Sequence, residues 1–341
     1  MNWANLNEDM FPLIAIILFI VSILIIWKGS DWLSDSLIPV AHQLGTSYIA
    51  VTTLLASFMM STPELMISVY SFFSGHQNIG IGILIGSVTI NIGITVGLTA
   101  ALKPLRVEKD ILIRDGFFLI VVAIIVMILG SDFRYSRSDG FVLIFMFLPY
   151  ALNVWYFEKA RPHGDRKEKV ETIKQSLDLF GDQFKFLHLK PSLLTLILGA
   201  IILLSGSYLF SVSLVEFGKI LPLPEFVIGL IFGAIGTGTP NIAAALQGTF
   251  KGYDDAAISE TFGSNIFTLL VTLGIFLVLS PITIAPKILY FDMTWMIMIH
   301  AAMLLFIIKG YKYQEESITR LEGITLVLFY FFILAANVVS F

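Results

Sequence analysis

Apolar residues run along this chain in blocks of about twenty, separated by short polar or Pro/Gly-marked breaks, with no sustained two-residue alternation. A helix needs about 20 residues to cross the hydrocarbon of a bilayer. The blocks predict ten such helices, at 11–32, 44–75, 79–102, 111–130, 140–157, 192–215, 224–249, 255–280, 287–308 and 322–340. One long polar stretch, Glu158 to Lys190, divides them into two sets of five. The predicted architecture is therefore all-α integral membrane, with a first unit at 1–158, a linker at 159–190 and a second unit at 191–341.

Composition agrees with this reading. Only 13% of the 341 residues are charged while 57% are hydrophobic, and soluble domains carry about 25% charge. The net charge of −4 points to no particular partner, and no basic patch suggests nucleic acid. The absence of cysteine excludes disulfides, thiolate metal sites and thiol catalysis. The first ten residues hold Glu8 and Asp9 but no Lys or Arg, unlike a cleavable signal peptide. With the N-terminus outside, ten crossings place 17 of the 21 Lys and Arg on the cytoplasmic side, including Lys28, the Lys103 to Arg114 cluster and the linker. That bias orients the protein with both termini extracytoplasmic. The linker segment RKEKVETIKQSLDLF has the charge pattern of a solvated connector or a short surface helix.

The two units repeat each other. FMMSTPEL and IGSVTINIGITVG are answered, 177 residues later, by GTGTPNIA and FGSNIFTLLVTLG, so Pro63 pairs with Pro240, Gly86 with Gly263, Ser87 with Ser264 and Gly97 with Gly274. Five crossings separate the copies. An odd number makes the second copy enter from the opposite side, giving two inverted five-helix repeats, with motif regions at 58–97 and 235–274. Such repeats build midplane substrate sites where helices are interrupted.

Each copy carries chemistry unusual at membrane depth. Proline lacks an amide proton and clashes with the preceding turn, so the helices are expected to open at Pro63 and Pro240. Glu64 is a carboxylate inside an apolar span, where ionisable groups mark ion pathways. Ser61 lies three residues earlier on nearly the same face. Ser87 and Asn91 are four apart, as are Ser264 and Thr268, and oxygen ligands at that spacing suit hard cations. Glu260, four residues before Ser264, is a second candidate acid, with entrance-residue status as its alternative. Asp254 and Asp255 read as helix-start charges, and His300, outside both motifs, as an interhelical bonding partner.

The motifs STPEL with GSVTIN, and GTGTPN with GSNIFT, resemble the two alpha repeats of the cation/calcium exchanger superfamily. That resemblance implies a secondary active antiporter exchanging Ca²⁺ against Na⁺ by alternating access, with inorganic cations and the lipid bilayer as partners and no cofactor. It implies Glu64 as main carboxylate, with Ser61, the Met60 carbonyl, Ser87, Asn91, Thr237, Asn241, Ser264 and Thr268 as neutral ligands, and it implies that the first and sixth spans slide past the rest. Asn241 stands where sodium/calcium exchangers have a second glutamate, Thr268 where many have aspartate, and Gly238 where a serine would be. A divalent ion is best matched by two carboxylates, so Glu64 with Glu260 suits Ca²⁺, whereas Glu64 alone suits a monovalent ion or H⁺. An intramembrane enzyme ranks lower, because no paired aspartates, HExxH segment or activated nucleophile is present. A non-transporting ion sensor is the third alternative.

Overall fold

The structure, a computed structural model, describes residues 11–43, 57–58, 60–160, 189–190, 192–250, 254–313 and 318–339. The ten N-terminal residues, the start of the second span, Lys251 and nearly all of the linker lie outside the described residues, as do the side chains of Asp254 and Asp255.

Among the described residues the chain forms ten main helices: α1 Phe11–Gln43, α2 Thr62–Phe73, α3 Gln77–Leu102, α4 Lys109–Leu129, α5 Arg137–Ala160, α6 Leu193–Ile220, α7 at 225–250, α8 at 254–279, α9 at 288–313 and α10 Arg320–Val339. Nine of the described helices are long and apolar enough to cross a membrane, and α2 is the part of the remaining span that is described. Leu13, Ile16, Ile17, Ile20 and Leu24 of α1 are exposed, as a lipid-facing stripe requires. By contrast, 94% of the central window of α3 is buried. The centre of the protein is therefore α3, and α1 is peripheral.

Two helices run past their expected ends. α1 has 33 residues and α6 has 28, against spans expected to stop at 32 and 215. Charges along both helices are paired within the helix: Lys28 Nζ meets Asp31 Oδ2 at 2.7 Å on α1, and Lys219 meets Glu216 Oε1 at 2.8 Å on α6. Arg114, expected in a cytoplasmic cluster, is instead buried in α4. It grips Asp115 with Nε–Oδ1 2.8 Å and Nη2–Oδ2 2.6 Å, and Tyr150 donates to the same carboxylate at 3.2 Å.

Inversion of the repeat is visible in the packing. A Cβ on Gly29 of α1 would lie 2.4 Å from the Leu203 amide nitrogen of α6, and one on Gly206 of α6 would lie 2.9 Å from the Ile26 nitrogen of α1. Gly206 and Leu203 are the residues 177 positions after Gly29 and Ile26. Each helix thus uses the same glycine against the same partner position. Likewise a Cβ on Gly86 would meet Ala234 at 2.8 Å and one on Gly263 would meet Ser57, the counterpart of Ala234, at 2.2 Å. Even the helix irregularities repeat: π-helical turns at Asn91–Val96 and Thr268–Thr272, and at Leu112–Gly116 and Ile288–Met293, keep the same spacing within a residue.

Contacts between loops sort into two ends. At one, strand β1 (Arg134–Tyr135) pairs antiparallel with β2 (Ile282–Thr283), His76 Nδ1 lies 2.6 Å from Glu225 Oε1, and Lys287 donates to Asn337 at 2.6 Å. At the other, Leu105 bridges Ile318, Lys103 donates to the Thr249 carbonyl at 2.5 Å and Lys309 meets Glu322 at 2.8 Å. Counting ten crossings puts every member of each group on one side. The geometry therefore obeys the alternation that inverted repeats demand.

The apolar core is also divided. Ile26 and Leu33 of α1 and Leu203, Phe210, Leu214 and Phe217 of α6 pack with Ile67 of α2, Ile79 and Ile83 of α3 and Ile228 of α7 in a second cluster beside the larger core, to which α3, α4, α5, α7, α8, α9 and α10 contribute.

Candidate cation-binding site

The first motif is interrupted where proline predicts. Ser61 leaves helical geometry at φ −98°, ψ 1°, and α2 begins at Thr62 with Pro63 in its first turn. Proline fits there because the amide it lacks would have no partner. The break creates a fresh helix N-terminus, and Glu64 falls in that first turn. Free amide groups and the helix dipole favour a carboxylate at this place. Pro240 behaves differently. It lies inside the uninterrupted helix Ala234–Phe250, so the expected second opening does not occur. Asn241, its neighbour, has no helix terminus to sustain a charge, and the neutral amide suits that setting.

Two helices besides its own converge on Glu64. Its Oε1 accepts a 2.9 Å bond from Ser87 of α3, and the Thr237 hydroxyl of α7, which donates to the Gly233 carbonyl at 3.2 Å, lies within bonding reach of the same carboxylate. Oε2 is buried with no hydrogen-bond partner. Ser61 turns to the other side, donating to the Ser264 carbonyl at 3.1 Å, lying 3.0 Å from Ser264 Oγ and accepting from Thr268 Oγ1 at 3.1 Å. Asn91 Oδ1 faces Asn241 Nδ2 at 3.4 Å. Met60 is buried beside Ser61. Glu64 is 1% exposed and Ser61, Ser87, Asn91, Thr237, Ser264 and Thr268 no more than 2%, so water does not solvate this carboxylate from outside. The arrangement offers one carboxylate and a shell of hydroxyl and amide oxygens, which is chemistry for a bare cation.

The expected site residues thus gather in one place, with one exception. No described hydrogen bond joins Glu260 to Glu64 or Ser264, and its Oε1 is buried without a partner. Among the described residues no group of three acidic or histidine side chains forms a metal cluster. His300 bonds between helices as expected, Nε2 lying 3.2 Å from Asn265 Nδ2. Asn265 itself was absent from the sequence-derived set. Its signal was an amide in an apolar span opposite Val88, a position where the first repeat has nothing polar.

Comparison with known proteins decides the family. The model of the sodium/calcium exchanger protein family matches residues 14–156 and 191–339, which is both five-helix units. The chain belongs to the sodium/calcium exchanger family. It is 26% identical over 339 residues to the sodium/calcium exchanger MaX1 of Methanosarcina acetivorans, covering 92% of this chain and 95% of that one. The putative antiporter CaxA of Alkalimonas amylolytica is 28% identical over 323 residues, covering 93% and 96%. A solved structure of the sodium-calcium exchanger NCX_Mj superposes with a TM-score of 0.64 at 22% identity, covering 95% of this chain and 99% of that one, so the two share a fold. As a family member the protein is a multi-pass membrane transporter of inorganic cations and not an enzyme.

Proposed function

We propose that this protein is a secondary active antiporter that exchanges Ca²⁺ for Na⁺ across the cell membrane, with both termini extracytoplasmic. The observation that carries the reading is the Glu64 carboxylate, held on a helix N-terminus at membrane depth, with one oxygen bonded to Ser87 and the other unpartnered. Ser61, the Met60 carbonyl, Ser87, Asn91, Thr237, Asn241, Ser264 and Thr268 supply neutral oxygens as the ion sheds water. Buried charge must be compensated, and the transported cation does this for Glu64.

Charge balance decides between a divalent and a monovalent cargo. Glu260 supplies the second negative charge by turning its carboxylate, whose Oε1 has no hydrogen-bond partner, toward Ser264, one helical turn away. A second reading, exchange of a monovalent ion or H⁺, is favoured by the amide at Asn241 in the place of an acid, and it holds if Glu260 stays apart from the ion.

The close pairing of α1 with α6 supports alternating access. α1 and α6 pack on each other through glycine contacts, which joins them as one body able to slide against the helices bearing the ligands. The test is Ca²⁺ uptake into proteoliposomes: a Na⁺ gradient drives ⁴⁵Ca²⁺ accumulation that Glu64→Gln abolishes. Uptake driven by a pH gradient alone would assign the monovalent reading.

A further inference from the structure

Two backbone carbonyls, which can only accept hydrogen bonds, orient a row of side chains that ends in the cation site. His300 Nδ1 lies 2.6 Å from the Met296 carbonyl, so Nδ1 carries a proton. Asn265 Nδ2 lies 3.1 Å from the Val88 carbonyl and 3.2 Å from His300 Nε2. An amide nitrogen only donates, so Nε2 is the acceptor and the ring is neutral. With both its hydrogens engaged, Asn265 presents Oδ1 to Asn91 Nδ2 at 2.8 Å. Asn91 must then direct its own Oδ1 the other way, toward Asn241 at 3.4 Å. His300, Asn265 and Asn91 are 1% exposed or less, so water does not substitute for any link.

We propose that His300 is a positioning residue for cation binding: through Asn265 it fixes the Asn91 amide so that its carbonyl oxygen, and not its NH2 group, faces the cation. Turning Asn265 over would set its oxygen against two acceptors, the Val88 carbonyl and His300 Nε2. Without His300 only one of these opposes the turn, and Asn91 loses its fixed direction. An NH2 group in place of Oδ1 repels a cation. Groups behind metal ligands typically change affinity by about 10–100-fold when removed, and buried hydrogen-bond chains couple their members. The inference rests on Asn91 being a ligand in the reading above.

A double-mutant cycle tests it on the full-length protein in proteoliposomes. His300→Leu is expected to lower apparent Ca²⁺ affinity about tenfold, His300→Gln, whose amide oxygen can accept from Asn265, to restore most of it, and His300→Leu to have no further effect in an Asn91→Ala background. Additive losses, or a glutamine variant as impaired as leucine while equally folded, would overturn the proposal. The same cycle is read by cation-dependent thermal stabilisation with Na⁺, K⁺, Ca²⁺ and Mn²⁺. If Ca²⁺ neither moves nor stabilises the wild type, the antiport reading fails, and His300 is judged on whichever cation stabilises the protein. A further arm contains no ion. Solid-state NMR of ¹⁵N-histidine protein, assigned by loss of the signal in His300→Gln, is expected to show an unprotonated Nε2 that shifts in Asn265→Ala, and a protonated Nε2 would sink the proposal.

Discussion

Asn265 donates a 3.1 Å hydrogen bond to the carbonyl of Val88, the residue 177 positions before it and its own counterpart in the first repeat. A residue can touch its repeat mate only beside the axis relating the two halves. That axis therefore passes through the crossing of α3 and α8, one residue from Ser87 and Ser264. Around it the halves differ in one decisive respect. The first provides a helix break and a carboxylate, and the second a continuous helix and an amide.

Removing the charge of Glu64 should end transport without unfolding the protein. Glu64→Gln keeps the shape and a hydrogen-bond acceptor for Ser87, so its thermal stability in detergent should match the wild type while flux falls to background. Ser87→Ala removes a bond to a charged group, an interaction typically of about 1.5–3 kcal/mol, and should weaken cation binding by about tenfold or more. Cation titrations of thermal stability check both.

Glu260 and Asn241 should compensate for one another. If two carboxylates face the divalent ion, Glu260→Gln lowers apparent Ca²⁺ affinity by about tenfold or more, with a smaller change for Na⁺. Adding Asn241→Glu should then restore it. Equal Ca²⁺ affinity in Glu260→Gln and wild type would assign Glu260 to the entrance, and the site to a single charge.

Packing of α1 on α6 leaves no room for a methyl group. Gly29→Ala and Gly206→Ala force backbones apart, a strain of about 1–3 kcal/mol, and should lower the unfolding temperature. Gly218→Ala serves as the control, because its Cβ would meet only Ile228 Cδ1 at 3.4 Å and alanine favours helix by about 1 kcal/mol. Comparable losses at all three positions would count against the close approach of α1 and α6.

The cysteine-free chain makes topology directly measurable. Single cysteines at Ser131 and Ala285 flank the β1–β2 pair, and those at Arg106 and Arg320 lie near the Leu105–Ile318 bridge. A membrane-impermeant maleimide applied to intact cells should label the first two and spare the others. Reversed labelling would invert the orientation, and mixed labelling within a pair would break the ten-crossing plan.

Much of this was legible in the sequence because a bilayer imposes strong rules. Apolar blocks, the constant offset between copies and an odd number of crossings were enough for the inverted repeats. Glu64, Ser61, Ser87, Asn91, Thr237, Asn241, Ser264 and Thr268 came together because each stands out against an apolar background. What could not be read was how charge is absorbed locally. Lys28 with Asp31 and Arg114 with Asp115 fall inside their expected spans as separate charges and prove to be neutralised pairs. Pro240 looked like a break, yet α7 runs continuously through it. The π-helical turns leave no residue-type signature. Asn265 was passed over because four-residue spacing selected Ser264 and Thr268, which face a different side of α8.

The central claim is that Glu64 holds the transported ion where the two repeats meet. Anomalous diffraction from crystals soaked in Mn²⁺ or Sr²⁺ tests it most directly. The predicted result is a single strong peak with a Glu64 carboxylate oxygen at about 2.2–2.6 Å and hydroxyl or amide oxygens of α3, α7 and α8 completing its shell. A metal peak that leaves Glu64 uncoordinated, bound instead at Asp292 or at the Arg114–Asp115 pair, would contradict the account.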